Sequence, residues 1–419
     1  MKLLVNNPYT YQNSTCPWLM GIKEENDKNN EIITVKDKYN NNVKCSAKYL
    51  WSLNINERIN TLNQVFNYYR SVGFPKERLT QSELISVYNK LKDKDENDIL
   101  IDDVNNIISN SGSLALNVCR HFCVDKFWSA SNDRMLSIRD VFNNDELFTN
   151  VLKNRMGWCL TNEGKAENGN NPRPYMFSIT DKQIRSGIRN SGGGYGVSNF
   201  RPLIAKFIYK KYLNSIVNTE NRNPIIFDYS GGWGARCLSA LSLDYDYIFT
   251  DPLTYDNIMN LYSFYKNAGL VDNSFVTGFK SGSENKDIYN EILNLYPTGV
   301  DMCFSSPPYF TLEIYNKTDE TQCYNKYSEY RNWLEYYWYK TCKNCDSILK
   351  RGGYFGLVIK ESFNKYDLAD DMTNYLDNYL NYKLIDTYRM LTSQSHLSSK
   401  VRTGNKQKTS EIIFIYQKQ

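Results

Sequence analysis

The residues with the most chemical content lie in Asp301-Met302-Cys303-Phe304-Ser305-Ser306-Pro307-Pro308-Tyr309-Phe310, a short apolar run that stops on Ser-Pro-Pro-Tyr. Two consecutive prolines neither continue a helix nor sit inside a sheet ladder, so the run predicts a buried strand ending in a rigid, extended turn. Such a turn at the carboxyl end of a strand suits chemistry that works by positioning. A second stretch, Ile225-Ile226-Phe227-Asp228-Tyr229-Ser230-Gly231-Gly232-Trp233-Gly234, is followed by a helical run from Ala235. Strand, glycine turn and helix is the geometry of a Rossmann-type cofactor site, where absent side chains let a ligand approach the backbone; the ligand need not be a phosphate. The next strand, Tyr247-Ile248-Phe249-Thr250, ends on Asp251. An acid about 20 positions beyond the glycines can accept from ribose hydroxyls.

Ser306, Pro307, Pro308 and Tyr309 resemble the signature of the amino-methyltransferases, S-adenosylmethionine-dependent enzymes that methylate an exocyclic amine of a DNA base. In that family Asp, Asn or Ser precedes Pro-Pro-Tyr or Pro-Pro-Phe. The resemblance implies a role for each residue. The amine is a poor nucleophile because its lone pair is delocalised into the ring. Ser306 and the Pro307 carbonyl would accept its hydrogens and localise that lone pair, with Pro308 keeping the turn rigid. Tyr309 would stack on the extruded base. The glycine turn resembles the family's Asp-x-x-x-Gly-x-Gly motif, carried by Asp228, Ser230, Gly231, Gly232 and Gly234, with Trp233 as a departure. Asp228 would then counter the sulfonium or hold the methionine ammonium, Asp251 the ribose, and Ser283 and Glu284 the adenine. Phe200 and Pro202, in Ser198-Asn199-Phe200-Arg201-Pro202, are the counterparts of a cofactor lid; a hydrophobic staple at a helix start fits them as well. The order of lid, glycine turn, ribose acid, adenine turn and catalytic turn is that of one subclass, with no recognition domain between the cofactor and catalytic halves. Ser-Pro-Pro-Tyr-Phe-x-Leu-Glu-x-Tyr, followed by a helix rich in Tyr and Trp, resembles the DNA methylases of phages and other viruses. DNA is the implied partner. Ser306 leans toward cytosine N4, and adenine N6 stays open.

The elements that must position these residues form an α/β fold. A Rossmann-like methyltransferase domain with a mostly parallel sheet and an antiparallel last strand is expected over residues 176–419, after a mainly helical domain over 1–175 with a role in nucleic-acid recognition. Asn54 with Glu57, and Thr80 with Glu83, read as helix starts. Further helices are expected around 102–108, 115–127 and 138–154, then a polar linker over 162–174. In the second half, helices are expected over 256–269, 288–295 and 327–349. Arg351-Gly352-Gly353 reads as a turn before a strand from Tyr354 to Lys360, and 383–391 pairs antiparallel with 412–417.

Composition sets the outer limits. With 41% hydrophobic residues among 419, and no apolar run near the ~20 residues of a membrane span, a soluble protein without a membrane partner is expected. The N-terminus does not read as a signal peptide, which points to an intracellular location. A net charge of +4 neither demands nor forbids a polyanion. The stretch from Ser393 to Thr409 carries Lys400, Arg402, Lys406 and Lys408 without an acid. It fits phosphate contact, and equally a solvated hairpin tip. Of ten cysteines, Cys342 and Cys345 have zinc-like spacing but no matching second pair, so no metal is expected. Two other functions fit the same motifs: an RNA or protein methyltransferase, and a binding module that keeps the fold without catalysis.

Overall fold

Side-chain alternation along the central strands shows how the sheet is built. In β7 (Ile225–Asp228) and β10 (Val300–Ser305) every residue is buried. Ile226, Met302, Phe304 and Val358 face one apolar cluster, whereas Phe227, Cys303, Phe355 and Leu357 face another. Strands covered on both faces read as continuous apolar runs, and the period of two sends alternate residues to opposite sides.

The computed structural model describes residues 31–94, 100–102, 106–110, 112–157, 177–391 and 410–419. Two short pairs stand apart from the main sheet: β1 (Thr34–Lys36) with β2 (Asn42–Lys44), and β5 (Leu136–Ser137) with β6 (Gly194–Tyr195). The main sheet has nine strands. Besides β7 and β10 it holds β3 (Leu100–Asp102), β4 (Ile107–Asn110), β8 (Asp246–Thr250), β9 (Val276–Phe279), β11 (Leu349–Lys360), β12 (Tyr382–Leu391) and β13 (Ser410–Lys418). Their order is β3-β4-β12-β13-β11-β10-β7-β8-β9. The five strands from β11 to β9 run parallel, while β13 lies antiparallel to both β11 and β12. This is the expected α/β architecture, a mostly parallel sheet with an antiparallel last strand.

Two expectations need correction. Strands β3 and β4 stand where a helix is expected over 102–108; apolar residues so closely spaced satisfy either period, and pairing with β12 through Arg389↔Ile107 and Met390↔Ile108 decides for strand. The turn at Arg351-Gly352-Gly353 lies inside β11, which starts at Leu349. Gly352 takes φ +76°, and the ladder with β10 shifts register between Val300 and Met302.

The N-terminal helices pack on helices that cover the sheet, Pro202–Glu220, Ala235–Leu241 and Tyr255–Asn267. Both expected capping boxes are formed, at Asn54–Glu57 and at Thr80–Glu83. From the second of these helices, Gln81–Lys92, Tyr88 stacks on Tyr265 at 4.5 Å and its hydroxyl donates to the Leu241 carbonyl at 2.8 Å. Lys206 donates to the carbonyls of Leu91 and Lys92, closing that helix. One buried apolar cluster runs from Ile33 through these helices to Ile415 in β13. No helix among the described residues is long and apolar enough to cross a membrane. The expected linker over 162–174 lies outside the described residues.

Candidate active site

β7 and β10 are neighbours, and the chain continues from β7 to β8 on one side and from β10 to β11 on the other. Their carboxyl ends therefore flank the crevice where the strand order reverses, the usual ligand position in such sheets. A cleft enclosing about 1100 Å³, part of it open to solvent, lies there. Both sequence motifs line it.

The glycine turn works through its geometry. Gly232 and Gly234 have φ of +58° and +82°, a region that favours glycine. A Cβ on Gly231 would lie 2.7 Å from Ile258 and 2.9 Å from Phe249, whereas one on Gly232 would meet nothing nearer than 3.4 Å. Gly231 thus lets the turn pack on the sheet, and Gly232 leaves room in the cleft. Asp251 fixes the turn from β8: Oδ2 accepts from Gly232 N at 2.9 Å, and Oδ1 accepts from Leu253 N at 2.9 Å and Thr254 N at 2.7 Å. Burial pushes the Asp251 carboxyl above its ordinary value against these bonds. Trp233, the departure from the motif, has a structural role. Its Nε1 donates to the Ser198 carbonyl at 3.1 Å, and its ring meets Phe127 and Tyr315 edge-on, tying the segment before Phe200 to the turn.

Behind the turn lies a buried ion pair. Asp228 is fully buried and accepts from Arg236 Nε at 2.7 Å, Arg236 Nη2 at 3.3 Å, Ser230 N at 3.1 Å and the Tyr247 hydroxyl. Arg236 Nη2 also donates to the Ser230 carbonyl and lies 3.4 Å from Ser305 Oγ. The Phe200 ring covers the guanidinium, 5.4 Å from its carbon. Burial works against the guanidinium's charge, but Asp228 more than offsets it and holds its pKa above the ordinary value.

At the Ser-Pro-Pro-Tyr turn Ser306 Oγ and Tyr309 Oη share a hydrogen at 2.8 Å, and Tyr309 Oη lies 3.5 Å from Glu411 Oε1. Glu313 accepts from Ser198 N at 3.0 Å, Ser198 Oγ at 3.1 Å and the Tyr315 hydroxyl at 2.9 Å. Burial raises the pKa of both Glu313 and Glu411. At the far end, Ser283 Oγ pairs with Thr341 Oγ1 at 2.8 Å, and Glu284 accepts from Lys326 at 2.8 Å. The helical segment from Tyr330 to Ile348 contains a π turn, Leu334–Tyr339, that brings Tyr337 to the cleft wall.

Of the residues singled out by sequence, Phe200, Ser230, Gly232, Asp251, Ser283, Glu284, Ser306, Pro307, Pro308 and Tyr309 line the cleft. Gly231 and Gly234 shape the turn from behind, and Asp228 sits beneath Arg236. Pro202 opens the helix Pro202–Glu220 instead, its carbonyl accepting from Ser239 Oγ at 2.8 Å. Lys400, Arg402, Lys406 and Lys408 lie outside the described residues. Sequence reasoning missed Arg236, Glu313, Gln322 and Glu411, all in the lining. Arg236 left a signal: it is the one charge in the helix Ala235–Leu241, whose other residues are buried apolar or small. Cys342 and Cys345 are buried on the helix Lys340–Ile348.

No protein-family model matches the chain, and no curated protein matches it. Solved structures similar to it include TrmN from Thermus thermophilus, with a TM-score of 0.30 and 12% identity over 52% of this chain and 49% of that one, about half its length. An rRNA methylase from Streptococcus thermophilus aligns with a TM-score of 0.31 and 11% identity, over 53% of this chain and 99% of its own. A putative class I S-adenosylmethionine-dependent methyltransferase from Listeria monocytogenes aligns at 0.34 and 15%, over 57% and 67%.

Proposed function

We propose that this chain is an S-adenosylmethionine-dependent methyltransferase acting on the exocyclic amine of a DNA base, cytosine N4 or adenine N6. The observation that carries the reading is the meeting, in one cleft, of the glycine turn with its Asp251 and the Ser-Pro-Pro-Tyr turn. The lining also fits the cofactor chemically. Gly232 leaves backbone open, Asp251 and Glu284 offer acceptors for hydroxyl and amine hydrogens, and Gln322 Nε2 is a buried donor without a partner among the described residues.

Charge supports the acceptor class. The described lining holds four carboxylates, Asp251, Glu284, Glu313 and Glu411, and a single basic side chain, Arg236. Such a cleft suits a cationic cofactor and an uncharged base, and it repels phosphate. The nucleic-acid backbone then stays outside while the target base is extruded into the cleft.

Bound S-adenosylmethionine would supply an electrophilic methyl group. Ser306 Oγ and the Pro307 carbonyl accept the amine hydrogens, and Tyr309 bounds the base. Methylation leaves one proton to be removed from the nitrogen. The sequence Ser306 Oγ, Tyr309 Oη, Glu411 Oε1, with spacings of 2.8 and 3.5 Å, offers it a path to a carboxylate whose raised pKa suits a proton acceptor. The N-terminal helical part, 1–175, and the basic stretch from Ser393 to Thr409 are the proposed clamps on the backbone. The test offers labelled cofactor with DNA, RNA and protein in parallel. Label in DNA is expected. Label only in RNA or protein would replace the acceptor, and cofactor binding without any transfer would favour a binding module.

A further inference from the structure

The position expected to hold the cofactor's amino-acid end, Asp228, is already engaged. Its carboxylate takes four hydrogen bonds from Arg236, Ser230 and Tyr247, and it is not among the residues lining the cleft. Arg236 stands between it and the cleft. We infer that Arg236 is the cofactor-binding residue of this end, holding the carboxylate of the cofactor's methionine moiety, with Asp228 acting as a positioning residue behind it. The inference rests on the function proposed above.

Three observations carry it. First, a cofactor that ends in an amino acid brings one carboxylate into a cleft lined by four carboxylates, and Arg236 is the single basic side chain in the described lining. Second, the guanidinium is held so that one edge is spent and one is spare. Its protein contacts are made by Nε, to Asp228, and by Nη2, to Asp228, the Ser230 carbonyl and Ser305 Oγ, and Nη1 takes part in none of them. Third, it is fixed in place. The ring of Phe200 lies over it, and Nη2 sits 3.4 Å from where a Cβ on Gly232 would be, beside the open backbone of the turn. A guanidinium locked by a paired carboxylate and an aromatic face presents its remaining donors with little entropy left to lose. Because Ser305 immediately precedes Ser306, this contact also links the cofactor's amino-acid end to the catalytic turn.

The test compares ligands on the unmodified protein by calorimetry: S-adenosylmethionine, its decarboxylated analogue, and 5′-methylthioadenosine, which lacks the amino-acid end. If Arg236 holds the carboxylate, the decarboxylated analogue binds about ten- to a hundredfold more weakly than S-adenosylmethionine, the range for losing a charged hydrogen-bond partner. Equal affinity for the two overturns the inference while leaving the methyltransferase reading intact. Failure of all three to bind removes that reading and the inference with it. Arg236→Met alone leaves Asp228 buried and unpaired, so the variant of choice is Arg236→Met with Asp228→Asn. It is expected to bind the two methionine-type ligands within about twofold of each other and to keep its affinity for 5′-methylthioadenosine. Retained discrimination in the double variant would overturn the assignment to Arg236. The ligand comparison on the unmodified protein decides the question even if the double variant does not fold.

Discussion

Asp251→Asn separates two roles of one carboxylate, and the structure sets the size of the effect. Oδ1 accepts two backbone hydrogens, from Leu253 and Thr254, and Oδ2 accepts one from Gly232 at 2.9 Å. An asparagine that keeps the doubly bonded oxygen must place its NH2 against Gly232 N, donor against donor. The orphaned Gly232 N–H costs about 1–3 kcal/mol. Against this, burial disfavours the Asp251 charge, and the neutral amide relieves that penalty. The two effects oppose each other, so thermal stability should change little. Cofactor affinity should not be spared: the turn loses its tether and the ligand hydroxyls lose a charged acceptor worth about 1–3 kcal/mol, or roughly five- to 150-fold in Kd. Calorimetric titration of both proteins with S-adenosylmethionine, beside thermal melts, checks this. A variant with the cofactor affinity of the parent would refute the link between Asp251, the turn and the cofactor.

Three further outcomes are expected. Ser306→Ala should slow single-turnover methylation by about a hundredfold and Tyr309→Phe by about tenfold or less, both with cofactor affinity unchanged; Phe is the substitution of choice because Tyr309 is only 9% exposed and truncation to Ala would open a cavity. His121 is buried, its Nδ1 accepts from Leu79 N at 3.0 Å, and burial followed by Arg78 holds its pKa down at about 4, below the ordinary 6.5. Between pH 6.5 and 4 the unfolded chain therefore takes up the proton first, so stability is full above 6.5 and falls on acidification by up to about 3 kcal/mol; His121→Asn, which keeps an acceptor, should flatten urea stability between pH 7 and pH 5. Neutralising Lys400, Arg402, Lys406 and Lys408 together should reduce the salt slope of DNA binding by up to about 3–4 units, and an unchanged slope would make that stretch a solvated tip.

Local signals were the legible ones. A strand stopped by Pro307-Pro308, a glycine turn between a strand and a helix, and two capping boxes each depend on residues close in sequence, and each forms as read. What could not be read depends on long-range packing. Glu411 reaches the cleft only because β13 inserts between β11 and β12, and it faces Lys360 in that ladder. Glu313 lies three residues past Phe310, in a loop held by the bridge between Ile314 and Ser131 of the N-terminal half and by Ser198, which donates to Glu313. The sequence suggests that Asp228 counters the sulfonium or holds the methionine ammonium, and it does not reveal that Arg236, eight residues later, turns back onto it.

The most direct test of the central claim is mass spectrometry of nucleosides from DNA treated with this protein and S-adenosylmethionine carrying a deuterated methyl group. The account predicts deuterated N4-methylcytosine or N6-methyladenine, formed about a hundredfold more slowly with Ser306→Ala. Unlabelled DNA, from a protein that binds the cofactor and labels RNA or protein instead, would contradict it.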